Sequence, residues 1–175
     1  MSEIDSLKYP IGLFLKPEAI TAEHLTAWIA TIAEFPEKLR ALTETLTEER
    51  LTKTYRPDGW TIRQLVHHCA DSHMNAFIRF KLALTEEAPK IKPYFEDQWA
   101  ELPDTRSAAI SSSLKLIEGL HARWVTLLQS LHSEDLNREY IHPEHGKRFS
   151  LGETIGMYAW HCEHHLAHIA IALKN

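Results

Sequence analysis

Four histidines, His161, His164, His165 and His168, crowd about one and a half helical turns near the end of a 175-residue chain that holds 12 histidines in all. That total is roughly three times the share of an average chain of this length. Neutral imidazole is the commonest side-chain metal ligand, and two imidazoles four residues apart on a helix project from one face close enough to share an ion. The cluster offers two such pairs, His161 with His165 and His164 with His168. At about 100° per residue, the apolar stripe of Leu151, Ile155, Tyr158, Cys162, Leu166, Ile169 and Leu173 centres near Cys162. His161 and His165 then lie roughly 60 to 100° from that centre, and His164 and His168 roughly 120 to 160° away. The first pair borders the bundle interior and the second points more outward, although Met157, Trp160, Ala167 and Ile171 make that side apolar too.

Two imidazoles rarely suffice, so a third ligand is expected from another helix. His67, His68 and His73 are the candidates, and periodicity does not choose among them. His73 sits at the centre of its stripe, while His67 and His68 flank it, each roughly 130° off. A three-histidine site with open coordination positions suits Lewis-acid chemistry: it lowers the pKa of bound water toward about 7 and polarises a carbonyl without a protein nucleophile. Against this stands the plainer reading of the same residues as a metal-free surface feature or a set of hydrogen-bonded core imidazoles. Cys69 and Cys162 directly follow His68 and His161, but each falls in an apolar helical pattern and reads as core filling rather than thiolate ligation. Asp71, near His68, reads either as an outer partner that orients an imidazole or as a solvated helix charge. The last helix carries no Glu-x-x-His pair of the ferritin-like di-metal kind, since Glu163 precedes His164 directly, and cysteine at 162 breaks the zinc-protease pattern. Glycine-rich phosphate motifs and serine-nucleophile motifs are absent as well.

The elements that must position these histidines are helices. The first stripe runs from about Ala22 to Leu46 through Leu25, Trp28, Ile29, Ile32, Phe35, Leu39 and Leu42, and stays in phase across Pro36, which predicts one kinked helix or two short helices sharing an axis. The second opens at Thr61, whose spacing to Gln64 is that of a capping box, and runs to about Leu84. The third spans roughly Ser107 to Leu131, with Ile110, Leu114, Ile117, Leu120, Trp124, Leu127 and Leu131 as its stripe. The fourth opens at a second box, Ser150 with Glu153, and runs to about Leu173. The stretch from Glu86 to Asp104, with Pro89, Pro93 and Pro103 beside Tyr94, Phe95 and Trp99, predicts an ordered aromatic loop over one end of the bundle. Tyr140 to Phe149 predicts a small hairpin turning at His145 and Gly146. The expected class is all-α: a four-helix bundle with long connecting loops, residues 1–175 forming one domain.

Composition narrows the function. With 44% hydrophobic and 25% charged residues, only 6 glycines and 8 prolines, the chain is that of an ordered globular protein. A net charge of −5 with scattered lysines and arginines argues against nucleic acid as partner. No apolar run spans a membrane and the N-terminus lacks a signal peptide, so the expected location is cytoplasmic. With two cysteines placed in helical cores, no disulfide framework is expected.

Several strings of the chain resemble the YfiT group of the DinB superfamily, whose members are described provisionally as metal-dependent hydrolases. They are YPIG at Tyr9 to Gly12, GWTIRQLVHHCADSHMNAFIRFKLALTEE at Gly59 to Glu87, LHARW at Leu120 to Trp124, and WHCEHHLAHI at Trp160 to Ile169. In that superfamily a tryptophan before the second helix precedes a histidine ligand by eight residues, which takes Trp60 to His68. Its last helix carries His-x-x-x-His, matched by His161 and His165, and often continues Arg-Gly-Gln where this chain has Leu166, Ala167 and His168. The resemblance implies a metal site of His68, His161 and His165, one divalent zinc or nickel ion per subunit, a homodimer and a four-helix fold. It implies a hydrolase acting on a small molecule. Superfamily relatives that activate a low-molecular-weight thiol such as bacillithiol or mycothiol supply a rival, thiol S-transfer. A non-catalytic metal-binding stress protein is a third expectation.

Overall fold

Four stretches of three- and four-residue apolar spacing become four long helices, and the segments between them become shorter elements. The computed structural model describes residues 3–144 and 146–175. In chain order these form α1 (Glu3–Lys8), α2 (Ala22–Thr43), α3 (Glu48–Leu51), α4 (Ile62–Thr85), α5 (Glu96–Trp99), α6 (Pro103–Ser107), α7 (Ser111–Gln129), α8 (Ser133–Leu136), β1 (Glu139–His142), β2 (Lys147–Ser150) and α9 (Leu151–Ala172). Each of α2 and α4 packs against both α7 and α9, so the bundle order around its axis is α2, α7, α4, α9. Trp124, Phe35, Phe80, Ile32, Leu39 and Ile155 are among the side chains wholly buried between them.

The helix starts follow their capping chemistry. Thr61 accepts from the Gln64 N–H through its hydroxyl, and the Gln64 side chain accepts from the Thr61 N–H at 2.9 Å, so the box at the head of α4 closes both ways. At α9 only the forward half forms: Ser150 Oγ accepts from the Glu153 N–H at 3.1 Å. The Glu153 carboxylate turns instead to Lys16 at 3.0 Å and Lys147 at 2.8 Å, because two ammonium groups outcompete one amide.

α2 runs unbroken through Pro36. The third stripe begins later than its pattern suggests, because α6 ends at Ser107 and the backbone of Ala108 is extended before α7 begins. The Ala108 carbonyl is held from the side by Arg63 at 2.6 Å. On α7 the inward positions are Leu114, Ile117, His121, Trp124 and Leu128, while Leu120 and Leu127 are only half-buried. The aromatic connection contains α5 and stacks Tyr94 near Trp99, ring centroids 4.5 Å apart. It is tied to β1 by main-chain bonds from Ile91 to Ile141 and from Ile141 to Pro89. β1 and β2 pair antiparallel with Tyr140 opposite Phe149, the hairpin that the turn signals predict, although His145 lies outside the described residues.

One glycine marks how closely α2 and the N-terminal segment approach α9. A Cβ on Gly156 would meet Trp28 Cη2 at 2.9 Å and Phe14 Cζ at 3.0 Å. Overpacking costs about 1–3 kcal/mol and outweighs the roughly 1 kcal/mol that alanine gains in a helix. Gly156→Ala is therefore expected to lower the melting temperature by about 2–4 °C in a thermal scan. A rise instead would mean the two rings yield without cost.

Candidate metal centre

The side-by-side packing of α4 and α9 brings one imidazole of α4 against two of α9. His68 Nε2 lies 3.3 Å from His161 Nε2, and His165 Nε2 lies 3.1 Å from the same atom. The three rings offer ligand atoms that all lie within 4.8 Å of one another. The turn before α4 holds Trp60 against His68, ring centroids 4.6 Å apart, which shields one side of the cluster.

Burial decides the protonation state. His68 is pushed down to about 3, first by desolvation and then by the neighbouring His164 and His168. His161 and His165 are held well below the usual imidazole value, again by desolvation first. The donor set is three neutral imidazoles, the form in which histidine binds metal. A tetrahedral ion with Zn–N bonds of about 2.0–2.1 Å keeps its nitrogens about 3.3 Å apart, which the two spacings around His161 Nε2, 3.3 and 3.1 Å, match.

The other histidines separate by partner. His67 faces away from the cluster: Nδ1 meets Ser113 Oγ at 2.7 Å and Nε2 meets the Ala108 carbonyl at 3.3 Å. His73 is wholly buried, with one ring nitrogen 2.8 Å from His121 Nε2 and the other 3.0 Å from His161 Nδ1. The expectation that His164 and His168 point outward is corrected, because both are buried. Trp160 stacks on His164 at 4.3 Å and Tyr55 on His168 at 3.9 Å. The N-terminal segment covers the same side: the Lys8 carbonyl accepts from His168 Nε2 at 3.2 Å, and the Gly12 carbonyl accepts from Trp160 Nε1 at 3.0 Å. A helix whose outward side is also apolar is simply roofed by more chain. His164, His165 and His168 form a second group of potential ligands that shares His165 with the first.

Cys69 and Cys162 are buried, unpaired thiols. Desolvation raises both well above the ordinary thiol value, which disfavours the thiolate that would ligate. Asp71 is half-buried and held near 6, by desolvation and then by Asp104, and its main-chain carbonyl accepts from Asn75. No bond from its carboxylate to an imidazole is recorded among the described residues. The residue that sequence reasoning passed over is His121. Its position four residues after Ile117 and three before Trp124 was the available signal, since that spacing places it on the inward face.

A cavity of about 520 Å³ opens beside the cluster, and the rings of His68, His161 and His165 form part of its wall. Arg79 and Arg56 line it with Tyr158, and Glu96 and Asp97 of α5 stand at the same cavity. A concave pocket with a few convergent polar groups is the ordinary form of a small-molecule site.

Known proteins resemble this chain along nearly its whole length. Residues 31–169 match the family model described as the DinB superfamily. A Bacillus pumilus (strain SAFR-032) protein, provisionally named a metal-dependent hydrolase, is 53% identical over 170 residues, covering 97% of each chain. A Bacillus cereus (strain 03BB102) protein with the same provisional name is 50% identical over 172 residues, covering 98% of each. The solved structure of YfiT from Bacillus subtilis, described with the same provisional activity and an unusual four-helix bundle topology, superposes with a TM-score of 0.92 at 46% identity, covering 94% of both chains.

Proposed function

The chain belongs to the YfiT group of the DinB superfamily, and from that premise we propose that it is a metal-dependent hydrolase holding one zinc or nickel ion on His68, His161 and His165. The observation that carries the proposal is the convergence of three neutral imidazoles, His68 and His165 buried and His161 half-buried, at 3.1 and 3.3 Å beside a cavity. When bound, the ion supplies Lewis acidity, activating water near neutral pH and polarising a substrate carbonyl. The remaining work falls to the chain itself. Trp60 limits water on one side of His68. The Tyr158 hydroxyl donates to the Ser72 carbonyl at 3.3 Å, which keeps that phenol fixed in the cavity wall. Arg56 and Arg79 line the cavity, with Asp58, Glu96 and Asp97 in the same wall, and the two arginines suit a substrate that carries an anionic group.

Those same cations favour a second reading. A low-molecular-weight thiol bearing carboxylates would be drawn to them, and its thiolate would attack an electrophilic carbon while the leaving group departs with its electron pair. The proposal includes a homodimer, as the resemblance implies, and a cytoplasmic setting.

The test is a turnover assay with zinc- and nickel-loaded protein. Hydrolysis of small esters or amides supports the first reading. Conjugation of a low-molecular-weight thiol to an electrophile, without such hydrolysis, would replace it. Tight metal binding with neither activity would leave a binding protein. His164→Ala is expected to retain stoichiometric metal by elemental analysis, because its ring stands outside the converging three; loss there with retention in His68→Ala and His161→Ala would move the site to the second group.

A further inference from the structure

The tautomers of two of the three converging imidazoles can be derived link by link from fixed ends. In α2, Pro36 has no N–H to give the Ile32 carbonyl. That carbonyl instead lies 2.7 Å from His121 Nδ1. A carbonyl only accepts, so His121 carries its proton on Nδ1. The ring is buried among aromatic side chains, Phe35 at 5.5 Å and Trp124 at 5.6 Å, and burial pushes it down to about 4. A neutral His121 then has a bare Nε2, and His73 Nδ1, 2.8 Å away, must donate to it. His73 is wholly buried with only histidines on its ring nitrogens, so it too is neutral and its Nε2 is bare. His161 Nδ1, 3.0 Å from that atom, must donate in turn. What remains on His161 is a bare Nε2, the atom facing His68 and His165. The chain of donors crosses the whole bundle, from α2 through α7 and α4 to α9.

A second chain reaches the neighbouring ring from the other side. The Lys8 carbonyl lies 3.2 Å from His168 Nε2, which therefore donates. The bare Nδ1 of His168 lies 3.3 Å from His165 Nδ1, which donates to it and leaves His165 Nε2 bare. Two bare nitrogens then face each other across 3.1 Å. That contact is repulsive unless a cation or a donated proton lies between them. The second group of potential ligands is closed by the same assignment, since both ring nitrogens of His168 are committed.

We infer that His121 and His73 on one side, and His168 on the other, are positioning residues that fix the tautomers of His161 and His165 so that each presents a bare Nε2 to a metal ion. This rests on the three-histidine reading and extends it to residues that touch no ion. Outer partners of this kind set ligand orientation and basicity and typically change metal affinity about 10–100-fold.

Long-range ¹H–¹⁵N correlation NMR on the metal-free wild-type protein reads which nitrogen of each ring is bare. The expected pattern is a proton on Nδ1 of His121, His73, His161 and His165 and on Nε2 of His168. A proton on Nε2 of His161 or of His165 would overturn the inference, whatever the metal result. Affinity for zinc, measured by competition with a chelator, supplies the second readout. His73→Phe keeps an aromatic ring beside Phe35, Trp124 and Tyr158 but accepts nothing from His161, and a loss of about 10–100-fold is expected. His73→Gln places an amide oxygen near the former Nε2 and should recover most of that loss. Unchanged affinity in a folded His73→Phe protein, or equal losses in both variants, would overturn the inference. Wild-type protein that binds neither zinc nor nickel would instead defeat the metal reading, and the NMR pattern would still report on the chains.

Discussion

Replacing His161 with alanine is expected to abolish stoichiometric zinc or nickel binding, with affinity falling by more than the roughly 10–100-fold typical of an outer partner. Its Nε2 is the middle atom of the converging three, 3.3 Å from His68 Nε2 and 3.1 Å from His165 Nε2. Its removal leaves two imidazoles on different helices with a gap between them. His68→Ala and His165→Ala should also lose stoichiometric metal, each by removing one of only three donors. Elemental analysis of the purified variants beside wild type, with circular dichroism to verify the helices, makes the comparison. Retention of one ion per chain by all three variants would remove the site. A deletion at this position has an additional consequence, because His73 Nε2 then loses the donor that faces it at 3.0 Å. Some loss of stability is therefore expected in His161→Ala, since an unpaired buried polar atom costs about 1–3 kcal/mol.

Acidification of the metal-free protein is expected to unfold it well above the pH at which most helical proteins fail. His121 is almost wholly buried and its pKa is pushed down from 6.5 to about 4, by desolvation despite its bond to the Ile32 carbonyl. In the unfolded chain the same ring titrates near its ordinary value of 6.5. Between those two values the unfolded state holds a proton that the folded state refuses, so stability falls as pH falls. The contribution is complete above about 6.5 and is lost progressively down to about 4, at about 1.4 kcal/mol per pH unit for one such ring. His73, His161, His165 and His68 are depressed in the same direction, so the slopes add. Against a total stability of about 5–15 kcal/mol, several such rings suffice to unfold the chain near pH 5. Thermal scans of metal-free protein at pH 7, 6 and 5 should show a drop of more than about 10 °C between the extremes. Equal melting temperatures at pH 7 and 5 would mean that the imidazoles are not buried neutral. Added zinc should shift the loss to lower pH, because an ion bound only to the folded state stabilises it by mass action.

The roles of particular residues show how much was legible beforehand. The heads of α4 and α9 were readable because a Ser or Thr three residues before a Gln or Glu acts within one turn, and capping needs no distant partner. The pair His161 and His165 was readable for the same reason: four residues on one helix fix a shared face. His164 and His168 were misplaced outward because phase alone does not show what else covers a helix, and here Tyr55, Trp160 and the carbonyl of Lys8 cover it. Pro36 looked like a kink. Its effect is the carbonyl it leaves open at Ile32, which His121 takes.

Local periodicity determined the four helices, the all-α class and the spacing of the histidines on α9, since each depends on residues within a turn or two of one another. Only the packed bundle decided that His68 meets His161 at Nε2, across a separation of 93 residues, while His73 meets the same ring at Nδ1 with His121 behind it. The three histidines of α4 meet different atoms: His67 meets Ser113, His68 meets Nε2 of His161, and His73 meets His121 and Nδ1 of His161, as the order in which the helices pack dictates. A hydrogen bond between rings forms only at about 3 Å, and no rule of sequence spacing carries that distance from one helix to the next.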